Sequence, residues 1–178
     1  MEKCWKCDTK LKVIKDKPYH YTECGLDNIY LHGIIQYECS KCRERGAEIP
    51  KINELHLLIG GDIVCQKALL TGDEVRFLRK ELGMKSKDMA SALSVKPETY
   101  SRWENAKKVV SPCHDKNLRL LYVLNASAQE GRILHKSIRK MLRDVAIGPA
   151  TATRREFTSA EWLGQTDGPI FRDACERY

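Results

Sequence analysis

Two CxxC pairs, Cys4-Trp5-Lys6-Cys7 and Cys39-Ser40-Lys41-Cys42, constrain this chain more than any other feature. Cysteines two residues apart form a tight knuckle that turns two thiolates toward one ion, and two knuckles complete the tetrahedral shell of a structural zinc site. Between the pairs Leu11, Val13, Tyr19, Tyr21, Ile29, Leu31, Ile35 and Tyr37 recur at odd positions, which is the period of short β-strands. Asp16-Lys17-Pro18 and Cys24-Gly25-Leu26-Asp27-Asn28 supply turn chemistry between them. Residues 1–50 therefore predict a β-rich module, too small for an adequate apolar core and held by a metal on Cys4, Cys7, Cys39 and Cys42. One structural zinc ion per chain suits four thiolates, with iron the alternative. A closed shell leaves no position for a reacting water, which disfavours catalysis at this metal. Cys24, His20 and His32 are irregularly spaced and read as a turn cysteine and two partly exposed histidines, while Cys65, Cys113 and Cys175 stand isolated.

Beyond residue 50 the apolar period lengthens. Ile52, Leu55, Leu58 and Ile59 share one helical face until Gly60-Gly61 interrupts, and Val64 to Leu70 suggests a second helical piece, so residues 51–71 read as a jointed connecting segment. Thr71-Gly72-Asp73-Glu74 has the form of a capping box with Thr71 as N-cap. The helix it opens carries Val75, Leu78 and Leu82 and stops near Gly83. Ser86 caps a short helix bearing Met89, Ala90 and Leu93. Pro97 opens a third that runs through Tyr100 and Trp103 to Asn105, and Ser111-Pro112 opens a fourth with Leu118, Leu121, Tyr122 and Leu124. That order of helix, tight turn and polar-faced helix is a helix-turn-helix reading. Tyr100 and Trp103 would face inward. Glu98, Thr99, Ser101 and Arg102 would lie toward base edges, and Lys85, Lys87, Lys96, Lys107 and Lys108 toward phosphates.

Charge agrees with that partner. Lys+Arg number 31 against 24 Asp+Glu, giving a formal net charge of +7 and a sequence pI near 9.0, a balance that favours nucleic acid. No apolar run approaches the length of a membrane span and the first residues lack a secretory h-region, so a cytoplasmic chain without stable disulfides is expected. No Ser/His/Asp set, phosphate-loop glycines or HExxH spacing points to an enzyme.

Residues 72 to about 124 resemble the phage-repressor (XRE) type of helix-turn-helix through Leu78-Arg79-Lys80-Glu81-Leu82-Gly83-Met84, Asp88-Met89-Ala90 and Thr99-Tyr100-Ser101-Arg102-Trp103-Glu104. The resemblance implies an ion pair between Arg79 and Glu104. Ser86 stands where a glutamine usually touches phosphate, which shifts that contact to Lys87. Asn105 replaces the usual glycine past the third helix. With the cysteine pairs included, residues 1 to about 142 resemble the MqsA (YgiT-type) antitoxin and regulator family. That resemblance implies an N-terminal zinc module that grips a cognate toxin in many members, a C-terminal domain that dimerises, and repression of the protein's own operon at a palindromic operator. It also places Glu98 and Arg102 at DNA-reading positions, where Glu98 departs from the more usual amide.

The fold class expected is thus α+β: a small zinc-binding β module over 1–50, a connecting segment over 51–71, and an all-α helix-turn-helix and dimerisation domain over 72–145. A homodimer would use the stripe Leu134, Ile138, Met141 and Val145. Residues 146–178, richer in Gly, Thr and Pro despite Trp162 and Phe171, read as a loosely structured tail of unknown role. The function expected is a sequence-specific DNA-binding repressor, the antitoxin of a type II toxin-antitoxin pair. The alternative is a stand-alone regulator or a protein-interaction adaptor without a toxin.

Overall fold

The alternating N-terminal segment forms five strands: β1 (Leu11–Ile14), β2 (Tyr19–His20), β3 (Ile29–His32), β4 (Ile35–Cys39) and β5 (Arg45–Glu48). Helices α1 (Ile52–Cys65), α2 (Gly72–Glu81), α3 (Ser86–Ala92), α4 (Pro97–Glu104) and α5 (Pro112–Gln129) follow, and then β6 (Arg155–Thr158) and α6 (Ser159–Leu163). A computed structural model describes residues 3–15, 17–129 and 148–163. The architecture is α+β, a small β region with the cysteine cluster followed by the helices. Cys175 and the proposed dimer stripe of Leu134, Ile138, Met141 and Val145 lie outside the described residues.

The strands sort into two sheets. β1, β4 and β5 pair antiparallel in the order β1-β4-β5, with Val13 opposite Tyr37 and Tyr37 opposite Gly46. β2 pairs antiparallel with β3, and β6 lies parallel to β3 on its other side, with Leu31 in register with Phe157. The two sheets belong to different cores. Around the first, Cys4, Leu11 and Cys39 are buried with Cys7, Tyr37 and Cys42 against them. From the second sheet Ile29 and Leu31, and from the loop between β2 and β3 Tyr21, Cys24 and Leu26, join the main core with Leu55, Leu58, Ile59, Leu78, Tyr100 and Leu118. The segment read as one module over 1–50 therefore contributes its middle to the helical body.

α1 differs from the jointed segment expected, since it runs unbroken through Gly60-Gly61. The glycine serves a close approach: a Cβ on Gly60 would collide with the Tyr122 ring of α5. The second helical piece expected over 64–70 does not form beyond Cys65. There the backbone leaves the helix and its carbonyls turn to Arg119, which donates to Ile63, Val64, Gln66 and Ala68 at 2.7–3.1 Å. Asp115, one turn before Arg119 on α5, pairs with it at 2.5 Å and accepts from the Leu70 amide at 2.7 Å. Both side chains are fully buried. Burial pushes the Asp115 carboxyl up, against the pull of Arg119.

Residues 148–163 are likewise more ordered than the loose tail expected. Arg155, Phe157 and Trp162 are buried, and the Trp162 indole donates to the Pro50 carbonyl at 3.0 Å. Cys65 is disulfide-bonded, contrary to the expectation of no stable disulfides, and none of the other described cysteines is its partner.

Candidate metal centre and nucleic-acid interface

The two knuckles are built alike. The amide of Asp8 donates to Cys4 O at 2.9 Å and that of Arg43 to Cys39 O at 3.0 Å, while Cys4 N reaches Thr9 O at 2.9 Å and Cys39 N reaches Glu44 O at 2.8 Å. The residue after each second cysteine is left-handed, Asp8 at φ 55 and Arg43 at φ 58. The resulting turns bring all four sulfurs within 4.8 Å of one another. Cys4–Cys42 and Cys7–Cys39 stand at 3.5 and 3.4 Å, close to the roughly 3.8 Å edge of a tetrahedron with metal–sulfur bonds of about 2.3 Å. The Lys6 amide lies 3.4 Å from the Cys4 sulfur, and the Thr9 hydroxyl and amide bring the Cys7 thiol down to about 6, toward the ligating thiolate. The geometry and donor set fit a structural metal ion. Cys24 sits apart, its thiol on the Tyr21 carbonyl, and His20 and His32 are not among the cluster.

The helical site is assembled on α2, α3 and α4. Thr71 caps α2 with a full capping box: its hydroxyl accepts from the Glu74 amide at 3.3 Å while the Glu74 carboxylate accepts from the Thr71 amide at 2.8 Å. Arg79 donates to Glu104 at 2.7 Å and to the Met84 carbonyl at 2.8 Å, so one guanidinium ties α2 both to the end of α4 and to the turn before α3. Ser86 is the first residue of α3 rather than its cap; Lys85 holds the N-cap position without a side-chain bond. Left-handed Ser94 (φ 56) makes the turn into α4, which Pro97 opens.

α4 is two-faced. Tyr100 and Trp103 are buried and meet edge-on at 5.8 Å, with Trp103 also against His114 at 5.1 Å; burial pushes the Tyr100 phenol up. Glu98, Ser101, Arg102 and Asn105 are exposed and Thr99 is half-buried. With Pro97 and Lys107, those four exposed residues line a shallow open depression. Lys85, Lys87, Lys96, Lys107 and Lys108 are exposed around it, and the amides of Lys107 and Lys108 both return to the Arg102 carbonyl, at 2.9 and 3.2 Å. Asn105 ends the helix through its side chain, donating to Ser101 O at 2.7 Å and Ser101 Oγ at 3.3 Å. The left-handed residue is Ala106 (φ 54), one position later than the glycine substitution suggested.

One set of side chains escaped the sequence reading. Arg155 of β6 donates to Asp62 at 2.8 Å, to Glu74 at 2.6 Å and to Gln66. The same Glu74 closes the α2 capping box and accepts from Gln66 Nε2 at 3.0 Å. A residue near the C-terminus thus helps fix the first helix of the helix-turn-helix. At the other end of α2, Glu81 accepts from His56 of α1 at 2.9 Å, and His56 Nε2 meets the Tyr21 hydroxyl at 2.8 Å. The signal for Arg155 was faint: Arg155 and Phe157 alternate with exposed Glu156 and Thr158, a strand pattern only four residues long.

A helix-turn-helix family model matches residues 75–112, from within α2 to the first residue of α5. The matched segment is a helix-turn-helix, a domain type that supports binding of double-stranded DNA. No curated protein and no solved structure matches the chain. Among the described residues no helix is long and apolar enough to cross a membrane.

Proposed function

We propose that the protein is a sequence-specific repressor that reads duplex DNA with the exposed face of α4. The observation that carries this reading is the division of α4 into a buried Tyr100–Trp103 face and an open face with Glu98 and Arg102, ringed by lysines that have no ion-pair partner among the described residues. Arg102 would reach a base edge, and Thr99 and Ser101 would lie beside it. Lys87, Lys96, Lys107 and Lys108 would meet phosphates and set the register. Zinc on Cys4, Cys7, Cys39 and Cys42 would supply the cohesion that the first sheet lacks, since its buried apolar content is little more than Leu11. A homodimer would place two α4 helices on the half-sites of a palindromic operator, about 34–36 Å or a multiple apart. The antitoxin role rests on the resemblance of residues 1–142 alone, and co-purification of a neighbouring toxin tests it.

The repressor reading is tested by capturing genomic fragments on the full chain at physiological salt and sequencing them. A palindromic site upstream of the protein's own operon is the expected enrichment. Recovery of all fragments in proportion to their input contradicts it.

A further inference from the structure

Resting on α4 as the reading helix, we infer that Glu98 is a base reader that selects cytosine, and that with Arg102 it restricts the core of the half-site to G·C pairs. Glu98 is the exposed acid of α4, whose other acid, Glu104, is buried and paired with Arg79. Although Arg102 stands one turn away, Glu98 has neither an ion pair with it nor any hydrogen-bond partner among the described residues. It also occupies the second position of the helix, after Pro97, where the positive end of the helix dipole favours a charged carboxylate.

A carboxylate accepts hydrogen bonds and donates none. Phosphate oxygens are acceptors as well, so a carboxylate on a DNA-facing surface either opposes the backbone or meets an amino group on a base. In the major groove those amino groups are cytosine N4 and adenine N6. Adenine places the N7 acceptor beside N6, which repels a carboxylate, whereas cytosine presents N4 without such a neighbour on its own edge. Arg102 carries the opposite requirement. Its donor fork matches guanine O6 and N7. Of the other polar side chains of the open face, Asn105 Nδ2 is already engaged, with Ser101 O and Oγ at the end of the helix. Four residues advance a helix by about 6 Å, against about 3.4 Å per base pair. Glu98 and Arg102 therefore read pairs no more than about two steps apart, one presenting C and the other G.

The test uses selection from a randomised duplex library with the full chain and its Glu98→Gln variant, followed by anisotropy titrations on the selected duplex and its single-pair replacements. Glutamine offers both a donor and an acceptor, which suits adenine N7 and N6. Wild type should select C at one position, and Glu98→Gln should prefer A there by about 10- to 100-fold while the other positions keep their preference. Glu98→Ala should lose the preference at that position alone. Circular dichroism spectra and melting curves that overlay wild type would establish that both variants are folded, as expected for an exposed side chain. The inference is overturned if Glu98→Gln tightens binding to every duplex alike, since Glu98 then acts only by repelling phosphate, or if the base preference is unchanged. If wild type enriches no duplex, the reading of α4 as a sequence reader fails, and this inference with it.

Discussion

Replacing Arg155 by methionine keeps most of the side-chain volume and removes the charge that faces Asp62 and Glu74. Arg155, Asp62 and Glu74 are all nearly fully buried, at 3%, 6% and 2% side-chain exposure. Deleting one partner of a buried ion pair costs about 3–5 kcal/mol, because the carboxylates left behind stay desolvated. Urea unfolding followed by tryptophan fluorescence suits the measurement, since Trp103 and Trp162 are buried in the main core while Trp5 is exposed. With an m-value of about 2 kcal/mol per molar urea, the midpoint should fall by about 1.5–2.5 M. Glu74→Gln in the same background should recover part of the loss. A cost below about 1 kcal/mol, or no recovery on adding Glu74→Gln, would refute the view of Arg155 as a buried counter-charge holding α2.

Metal analysis should find about one ion per chain; chelation or Cys39→Ser should abolish amide protection over residues 3–15 and 35–48, while Ile29 and Leu31 keep theirs because they share the helical core. Trp103→Ala should cost about 3–5 kcal/mol in chemical denaturation, as expected for a buried aromatic, and lower affinity for all duplexes through loss of folded protein. Gly60→Ala should lower stability by about 1–3 kcal/mol in thermal melts, because the new methyl meets the Tyr122 ring.

The local features were legible in the sequence because they obey local rules. The CxxC spacing dictates the knuckles, the Thr71–Glu74 box and Pro97 mark helix starts, and the period of Tyr100 and Trp103 sets the inward face of α4. Failures came where distant segments decide the outcome. Gly60-Gly61 looked like a break, yet the ring of a tyrosine far along the chain makes it a contact. The carbonyls of 63–68 looked able to continue a helix and instead surround Arg119. β6 pairs in parallel with a strand more than a hundred residues upstream, and no hairpin turn announces such a partner. Hydrophobic period also cannot separate two sheets that alternate alike, which is why β2 and β3 were read with the cysteine module rather than with the helices they pack against.

Whether α4 reads bases is tested most directly by comparing Arg102→Ala with Lys107→Ala on the operator and on a scrambled duplex, by fluorescence anisotropy at several salt concentrations. Arg102→Ala should cost about 1–3 kcal/mol on the operator and little on the scrambled duplex, relaxing the preference at one base pair. Lys107→Ala should weaken both duplexes alike and lower the salt slope by about one unit. Equal loss on both duplexes for Arg102→Ala, together with a flattened salt dependence, would make Arg102 a phosphate clamp and contradict the reading face assigned to α4.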